Sequence, residues 1–196
     1  SGVRVVSAQH ITAEVDHFEH SLAVVTIQIP DPLTETVTLS GPTTVVVAIG
    51  QAGQATDTDG DGREQVMTEM IAMSLTGSSS LGPVTVRLNA MRPTVGEIEE
   101  TANNTAGTLD ISPFTSTGSA DSFFDVFFEV AVAGRVFHNN VPARLQARIT
   151  HKPPADGETY LDTTAVELFD ENNNPTGIQL LRVSHTPNPR KELDFF

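Results

Sequence analysis

Residues 122–132 read Ser122-Phe123-Phe124-Asp125-Val126-Phe127-Phe128-Glu129-Val130-Ala131-Val132. Every second residue from Phe124 to Val132 is apolar, which is the pattern of a strand with one face in a core. The opposite face carries the carboxylates of Asp125 and Glu129. We therefore predict a buried strand here and a sheet around it.

Similar segments, rich in β-branched residues and separated by turn residues, recur along the chain and predict roughly ten to fourteen short strands. A turn at Ser40-Gly41-Pro42 is expected to join strands 34–39 and 43–49, because Gly and Pro favour turns. The fold class is all-β, an antiparallel β-sandwich with a jelly-roll variant left open. We predict one domain over residues 1–196, with an N-terminal β segment at 3–6 and a proline-punctuated tail at 187–196.

Residues 66–75 fit two periodicities. Met67, Met70, Ile71 and Leu75 lie at helical spacing. Strand alternation is also present, from Glu69 through Ile71 to Leu75, and the segment resembles the β-rich stretch that begins at Thr34. We therefore predict a strand.

An acidic loop, Asp57-Thr58-Asp59-Gly60-Asp61-Gly62, has the spacing of a cation site. Carboxylates at positions 1, 3 and 5 supply the oxygen ligands that Ca²⁺ prefers, and the glycine at position 6 permits a sharp turn. Three carboxylates this close repel one another in the absence of a cation. The alternative is a solvated acidic turn.

This loop resembles the DxDxDG loops of EF-hands, dockerins and thrombospondin type-3 repeats. The resemblance covers about six residues and implies a calcium site with Asp57, Asp59 and Asp61 as ligands. It also implies a ligand from the backbone carbonyl of Arg63. Positions 9 and 12 depart from the pattern, so Glu64 or Glu69 is expected to complete the shell. The remainder, for example 151–154 and 184–189, looks similar to uncharacterised secreted bacterial β-proteins.

The amino-acid composition excludes several classes of binding partner. Acidic residues outnumber basic ones by 25 to 11, and the formal net charge is −14. Such a surface repels phosphate backbones and anionic lipids, so nucleic-acid binding is not expected. The chain has no cysteine, which excludes disulfides and thiolate chemistry. No apolar run approaches the ~18 residues of a membrane span, so membrane insertion is not expected either.

The sequence also leads to a prediction of a non-enzyme. Asp125 and Glu129 lie four residues apart on one strand face, and paired carboxylates can catalyse glycoside hydrolysis. Sugar-binding sites usually contain aromatic side chains, however, and the chain has no Trp and only one Tyr. No G-x-S-x-G motif occurs. We predict an extracellular, calcium-stabilised structural protein that polymerises as a filament or surface-layer subunit by strand exchange through a terminus. Its partners would be its own copies or other cell-surface proteins.

The alternative function is a secreted calcium-dependent binding or adhesion module for protein or glycan ligands. Secretion is expected in both cases, because the chain starts at Ser1 without a leader, as a processed protein would.

Overall fold

A computed structural model describes residues 12–30 and 33–190 of the protein. Twelve strands occur in these ranges, and the prediction of an all-β antiparallel fold is confirmed. The strands are β1 Glu14–Ile29, β2 Leu33–Val47, β3 Gln65–Ser79, β4 Gly82–Leu88, β5 Thr94–Glu100, β6 Ala120–Val126, β7 Phe128–Val132, β8 Arg135–Asn139, β9 Ala143–Ile149, β10 Tyr160–Asp162, β11 Val166–Phe169 and β12 Pro175–Thr186. None of the described residues forms a helix that could cross a bilayer. The predicted β segment at 3–6 and the end of the tail, 191–196, lie outside the described residues.

Hydrogen bonds join all twelve strands into one antiparallel sheet that closes on itself twice. The order is β1-β2-β3-β4-β7-β8-β11-β12-β10-β9-β6-β5, and β1 also pairs with β12 and β3 with β5. The upper ring therefore contains β1, β2, β3, β4, β7, β8, β11 and β12. The lower ring contains β1, β2, β3, β5, β6, β9, β10 and β12. The two rings share β1, β2, β3 and β12.

The strands β1, β2 and β3 are long because each contributes to both rings. The turn predicted at Ser40-Gly41-Pro42 is wrong, since β2 runs through these residues without a break. A Cβ at Gly41 would lie 2.0 Å from the backbone oxygen of Ser74, so glycine lets β3 approach closely here. The β1–β2 register shifts between Phe18 and Ser21, opposite Pro42, which cannot donate a hydrogen bond.

The segment 122–132 is divided between the rings. β6 ends at Val126 and pairs with β5 and β9 in the lower ring, while β7 begins at Phe128 and pairs with β4 and β8 in the upper ring. Asn139, fully buried, holds this break: its side chain accepts a hydrogen bond from the Phe128 N–H and donates to the Val126 carbonyl, both at 2.9 Å. The predicted core face is confirmed at Phe124, Val126, Phe128 and Val130, all buried.

The strand predicted at 66–75 is confirmed, because these residues lie within β3. β3 pairs with β2 along its length, with β5 through residues 65–70 and with β4 through residues 74–79. It thus changes partner from the lower ring to the upper ring.

Four hairpins bring their turns to the same end of the upper ring. The turns join β1 to β2, β3 to β4, β7 to β8 and β11 to β12. The opposite end of the upper ring meets the lower ring, whose interior is filled by side chains such as Phe18, Ile98, Phe124 and Tyr160. An eight-stranded ring is wide enough either to be filled by side chains or to hold one small ligand.

Candidate functional site

The upper ring encloses a cavity of about 350 Å³. All eight strands of the ring line it, and 24 of its 28 lining residues are apolar. One wall residue from each strand is Val25, Val37, Leu75, Val86, Val130, Phe137, Leu168 and Leu180. Volumes of about 300–1,000 Å³ with apolar walls are typical of small-molecule sites. The cavity can therefore hold a small apolar ligand.

The mouth of the cavity lies at the end of the upper ring where β1 ends and β2 begins, and where β3, β7 and β11 end. Leu81 is 58% exposed, and Ala133 and Arg135 are exposed too. Glu35 also lines this end, and its carboxylate accepts hydrogen bonds from the Ser80 N–H at 2.6 Å and the Ser80 hydroxyl at 2.8 Å. A ligand would enter between turns, past groups that water already solvates.

The floor of the cavity is formed where the upper ring meets the lower one. Val126, Ala143 and Leu145 belong to β6 and β9 of the lower ring, yet they line the cavity. On β12, His185 lies at the floor and Ile178 lies near the mouth. Seven residues separate them, about 23 Å of strand. The cavity is therefore elongated along the strands.

Among the described residues, His185 is the one polar side chain that lines the cavity away from its mouth. It is 5% exposed, and its Nε2 atom has no hydrogen-bond partner among the described residues. Burial lowers the pKa of His185 to about 4, so the imidazole is neutral at physiological pH. Leaving a buried polar atom unpaired costs about 1–3 kcal/mol.

A smaller cavity of about 30 Å³ lies on the other side of His185, toward the lower ring. Asp16, Lys152 and Tyr160 line it, together with Thr68, whose Oγ1 has no partner in the described part of the chain. The space is large enough for a water molecule. His185 and Met70 line both cavities, so they lie between the larger cavity and the smaller one, whose walls are also mainly apolar.

The charged groups near the floor are already paired. The Lys152 side chain is 1% exposed, and its Nζ donates to Asp16 at 3.0 Å and also to Glu14. Burial raises the pKa of Asp16, and its bond to Lys152 opposes that change. The Tyr160 hydroxyl donates to Ser122 at 2.9 Å, and burial raises its pKa.

His185 did not stand out in the sequence, where no neighbouring residue gives it a recognisable context. Its burial depends on long-range pairing, since it lies opposite Ala23 of β1 on one side and Tyr160 of β10 on the other. One signal in the sequence could have indicated this burial. His185 lies two residues from Val183, so the two side chains share one face of a strand, and Val183 also lines the cavity.

The acidic loop lies on the surface, away from the cavity. One carboxylate oxygen from each of Asp57, Asp59 and Asp61 lies within 4.8 Å of the others, so this cluster could hold a metal ion. The Asp57 carboxylate accepts hydrogen bonds from the Gly60 N–H at 2.7 Å and the Gly62 N–H at 2.9 Å. These bonds, with that from Gly62 largest, lower the pKa of Asp57 and keep it charged.

The other three predicted ligands are arranged differently. The Arg63 guanidinium pairs with Asp61 and lies 2.6 Å from the Glu99 carboxylate. Arg63 therefore supplies positive charge next to the aspartate cluster. Glu64 is buried, and its Oε1 accepts a hydrogen bond from the Gly107 N–H at 2.6 Å. Glu69 is exposed on β3, opposite Val95 of β5. The cluster that the structure brings together is therefore the three aspartates.

The two carboxylates of the 122–132 segment, Asp125 and Glu129, form surface ion pairs. Asp125 accepts two hydrogen bonds from Arg144, at 2.8 and 2.7 Å, and Glu129 accepts from Arg87 at 2.7 Å. Both lie outside the cavity lining. They stabilise strand pairing and take no part in the candidate site.

No family model matches this chain, and no curated protein matches it. The calcium-loop resemblance therefore stays limited to the aspartate cluster. The chain is similar in structure to DynF from the dynemicin biosynthesis pathway of Micromonospora chersina, with a TM-score of 0.72. The likeness covers 93% of this chain and 83% of DynF, at 21% sequence identity.

This likeness shows the fold, and it bears on two predictions. The prediction of a non-enzyme is contradicted, because the fold is shared with a protein of a biosynthetic pathway. A structural role as a filament or layer subunit is not supported by that comparison either. The chain has the fold of DynF, a closed antiparallel sheet, and encloses an apolar cavity of small-molecule size.

Proposed function

We propose that this protein binds an elongated, mainly apolar small molecule inside the upper ring. The observation that carries the proposal is the 350 Å³ cavity, which all eight strands line with apolar side chains and which opens between the hairpin turns. The fold shared with DynF, a protein of a biosynthetic pathway, supports a ligand that is an intermediate or product of small-molecule synthesis.

The size of the cavity argues that it is a site and not a packing defect. Protein interiors are close-packed and contain few voids larger than a water molecule. A space of about 350 Å³ lies instead in the range of about 300–1,000 Å³ that is typical of small-molecule sites. Because the space opens at one end, water can fill it, and an apolar ligand would gain free energy by covering the apolar walls.

The apolar walls also predict how affinity depends on ligand length. Each buried methylene contributes about 0.8 kcal/mol, which is about a fourfold change in affinity. Affinity for a series of straight-chain alcohols should therefore rise by about this factor per carbon, until the chain reaches the floor. Longer chains should then gain nothing further.

Two variants at adjacent residues of β2 test the site. Val37 is 1% exposed and lines the cavity, while the next side chain, Thr38, is exposed on the outer face. Val37→Phe should lower the affinity for a neutral dye such as Nile red at least tenfold, and Thr38→Phe should leave it unchanged. Equal affinities for both variants and the wild type, measured by fluorescence titration, would place the bound dye elsewhere and refute the proposal.

We further propose that the aspartate cluster binds Ca²⁺ as a stabilising ion. Three exposed carboxylates with oxygens within 4.8 Å of one another support this, because Ca²⁺ accepts flexible oxygen shells. Millimolar Ca²⁺ should raise the melting temperature of the wild type, excess chelator should reverse the effect, and Asp57→Ala should abolish it. An identical response in Asp57→Ala and the wild type would contradict a site at this loop. Secretion and polymeric partners rest on the sequence and stay predictions.

A further inference from the structure

We propose that His185 recognises a neutral hydrogen-bonding group, a hydroxyl or a carbonyl, at the deep end of the apolar ligand. This inference rests on the proposed function, and it adds the chemistry that the ligand carries at one end. The apolar walls alone would accept a hydrocarbon in either orientation. A polar contact at the floor would fix which end enters first.

The position of His185 carries the argument. The other three residues with polar side chains that line the cavity, Glu35, Ser79 and Arg135, lie at its mouth, where solvent is available to them. His185 lies at the floor, is 5% exposed, and has an Nε2 atom without a hydrogen-bond partner in the described structure. Buried polar atoms in folded proteins nearly always have a partner. A polar group on the ligand that contacts the imidazole directly from the larger cavity, which His185 lines, supplies one.

The surroundings of His185 favour a neutral partner over a charged one. Two carboxylates, Glu14 and Asp16, already surround the single ammonium of Lys152. An anionic end group would meet their excess negative charge. The Tyr160 hydroxyl is committed to Ser122. A cationic end group would leave water for an apolar cavity whose floor offers one neutral imidazole, and burying an unpaired charge is costly. A neutral hydroxyl or carbonyl meets neither obstacle.

The test compares four straight-chain probes of equal length that end in a methyl, a hydroxyl, a carboxylate or an ammonium group. Their affinities are measured by displacement of Nile red from the full-length protein. The alcohol should bind the wild type about tenfold more tightly than the alkane, as one net hydrogen bond allows. The carboxylate and the ammonium should bind more weakly than the alcohol.

Two substitutions at His185 and one control assign the preference. His185→Phe should remove the advantage of the alcohol over the alkane, and His185→Gln, which keeps a donor and an acceptor, should restore part of it. Ile178→Met, near the mouth on the same strand, should change the affinities for alcohol and alkane by the same factor. The wild-type comparison stands without any variant, so a variant that fails to fold does not remove the test.

The outcomes separate this inference from the proposed function. Binding of alkane and alcohol with equal affinity would overturn the role of His185 and leave the apolar site intact. An imidazole that turns wholly toward the smaller cavity would have the same two consequences. An alcohol preference that survives His185→Phe would overturn it as well. Absence of binding for all four probes would overturn the proposed function and this inference together.

Discussion

Acid should destabilise this protein through His185, and the effect can be calculated from its burial. The pKa of His185 is lowered from 6.5 to about 4 by burial in the folded protein. Between these values the unfolded chain takes up a proton that the folded protein does not. Stability therefore falls as the pH falls from 6.5 to 4, and the full difference of about 2.5 pKa units corresponds to about 3 kcal/mol. At about pH 5 the loss should be about 2 kcal/mol.

The substitution His185→Phe removes this proton uptake and isolates the effect. Burial also raises the pKa of Asp16 and Glu100, and those groups change stability with pH in the opposite direction. Their contributions are shared by the wild type and the variant, so the difference between the two proteins reports on His185. The variant should gain about 2 kcal/mol relative to the wild type between about pH 7.5 and pH 5.

Urea unfolding at a series of pH values gives the required free energies, provided that the slope with urea is the same for both proteins. Ile178→Phe is the matched control, because it adds the same ring on the same strand and removes no titratable group. Its difference from the wild type should not change with pH. A His185→Phe difference that is equally flat would show that the imidazole is protonated in the folded protein, and would refute the reasoning.

Two further predictions concern buried polar groups. Asn139→Leu should lower the free energy of unfolding, measured by urea unfolding, by about 1–3 kcal/mol, because it leaves the Phe128 N–H unpaired in the core. A loss below about 0.5 kcal/mol would show that another group takes over the bond. Lys152→Met should cost about 3–5 kcal/mol by leaving carboxylates without their ammonium, and adding Asp16→Asn should recover part of that loss. Purely additive losses in this double variant would argue against coupling between Lys152 and Asp16.

Much of the strand content follows from local alternation of apolar residues. The face from Phe124 to Val130 was predicted as core and is buried. Alternation does not show what lies opposite a residue, however. Phe124 fills the lower ring and Val130 lines an open cavity, although the two look alike in the sequence. The distance between opposite walls is set by the order of strands, which local patterns leave undetermined.

The two candidate sites differ in the same way. The aspartate cluster was predictable, because residues two apart in a tight loop stay close whatever the rest of the chain does. The floor of the cavity was not, since His185 and Ala23 come together only through pairing of β1 with β12. The turn wrongly predicted at Gly41 has a related origin: glycine there allows the approach of β3, a contact with no local signature.

The origin of the floor has a consequence for the range of ligands that related proteins could accept. Val126, Ala143 and Leu145 close the cavity from β6 and β9, which are not among the eight strands of its wall. Larger or smaller side chains at these three positions would shift the stopping point of the ligand while the surrounding wall kept its hydrogen bonds. Side chains of the lower ring thus set the maximum length of the accepted molecule, and this length can evolve separately from the shape of the entrance.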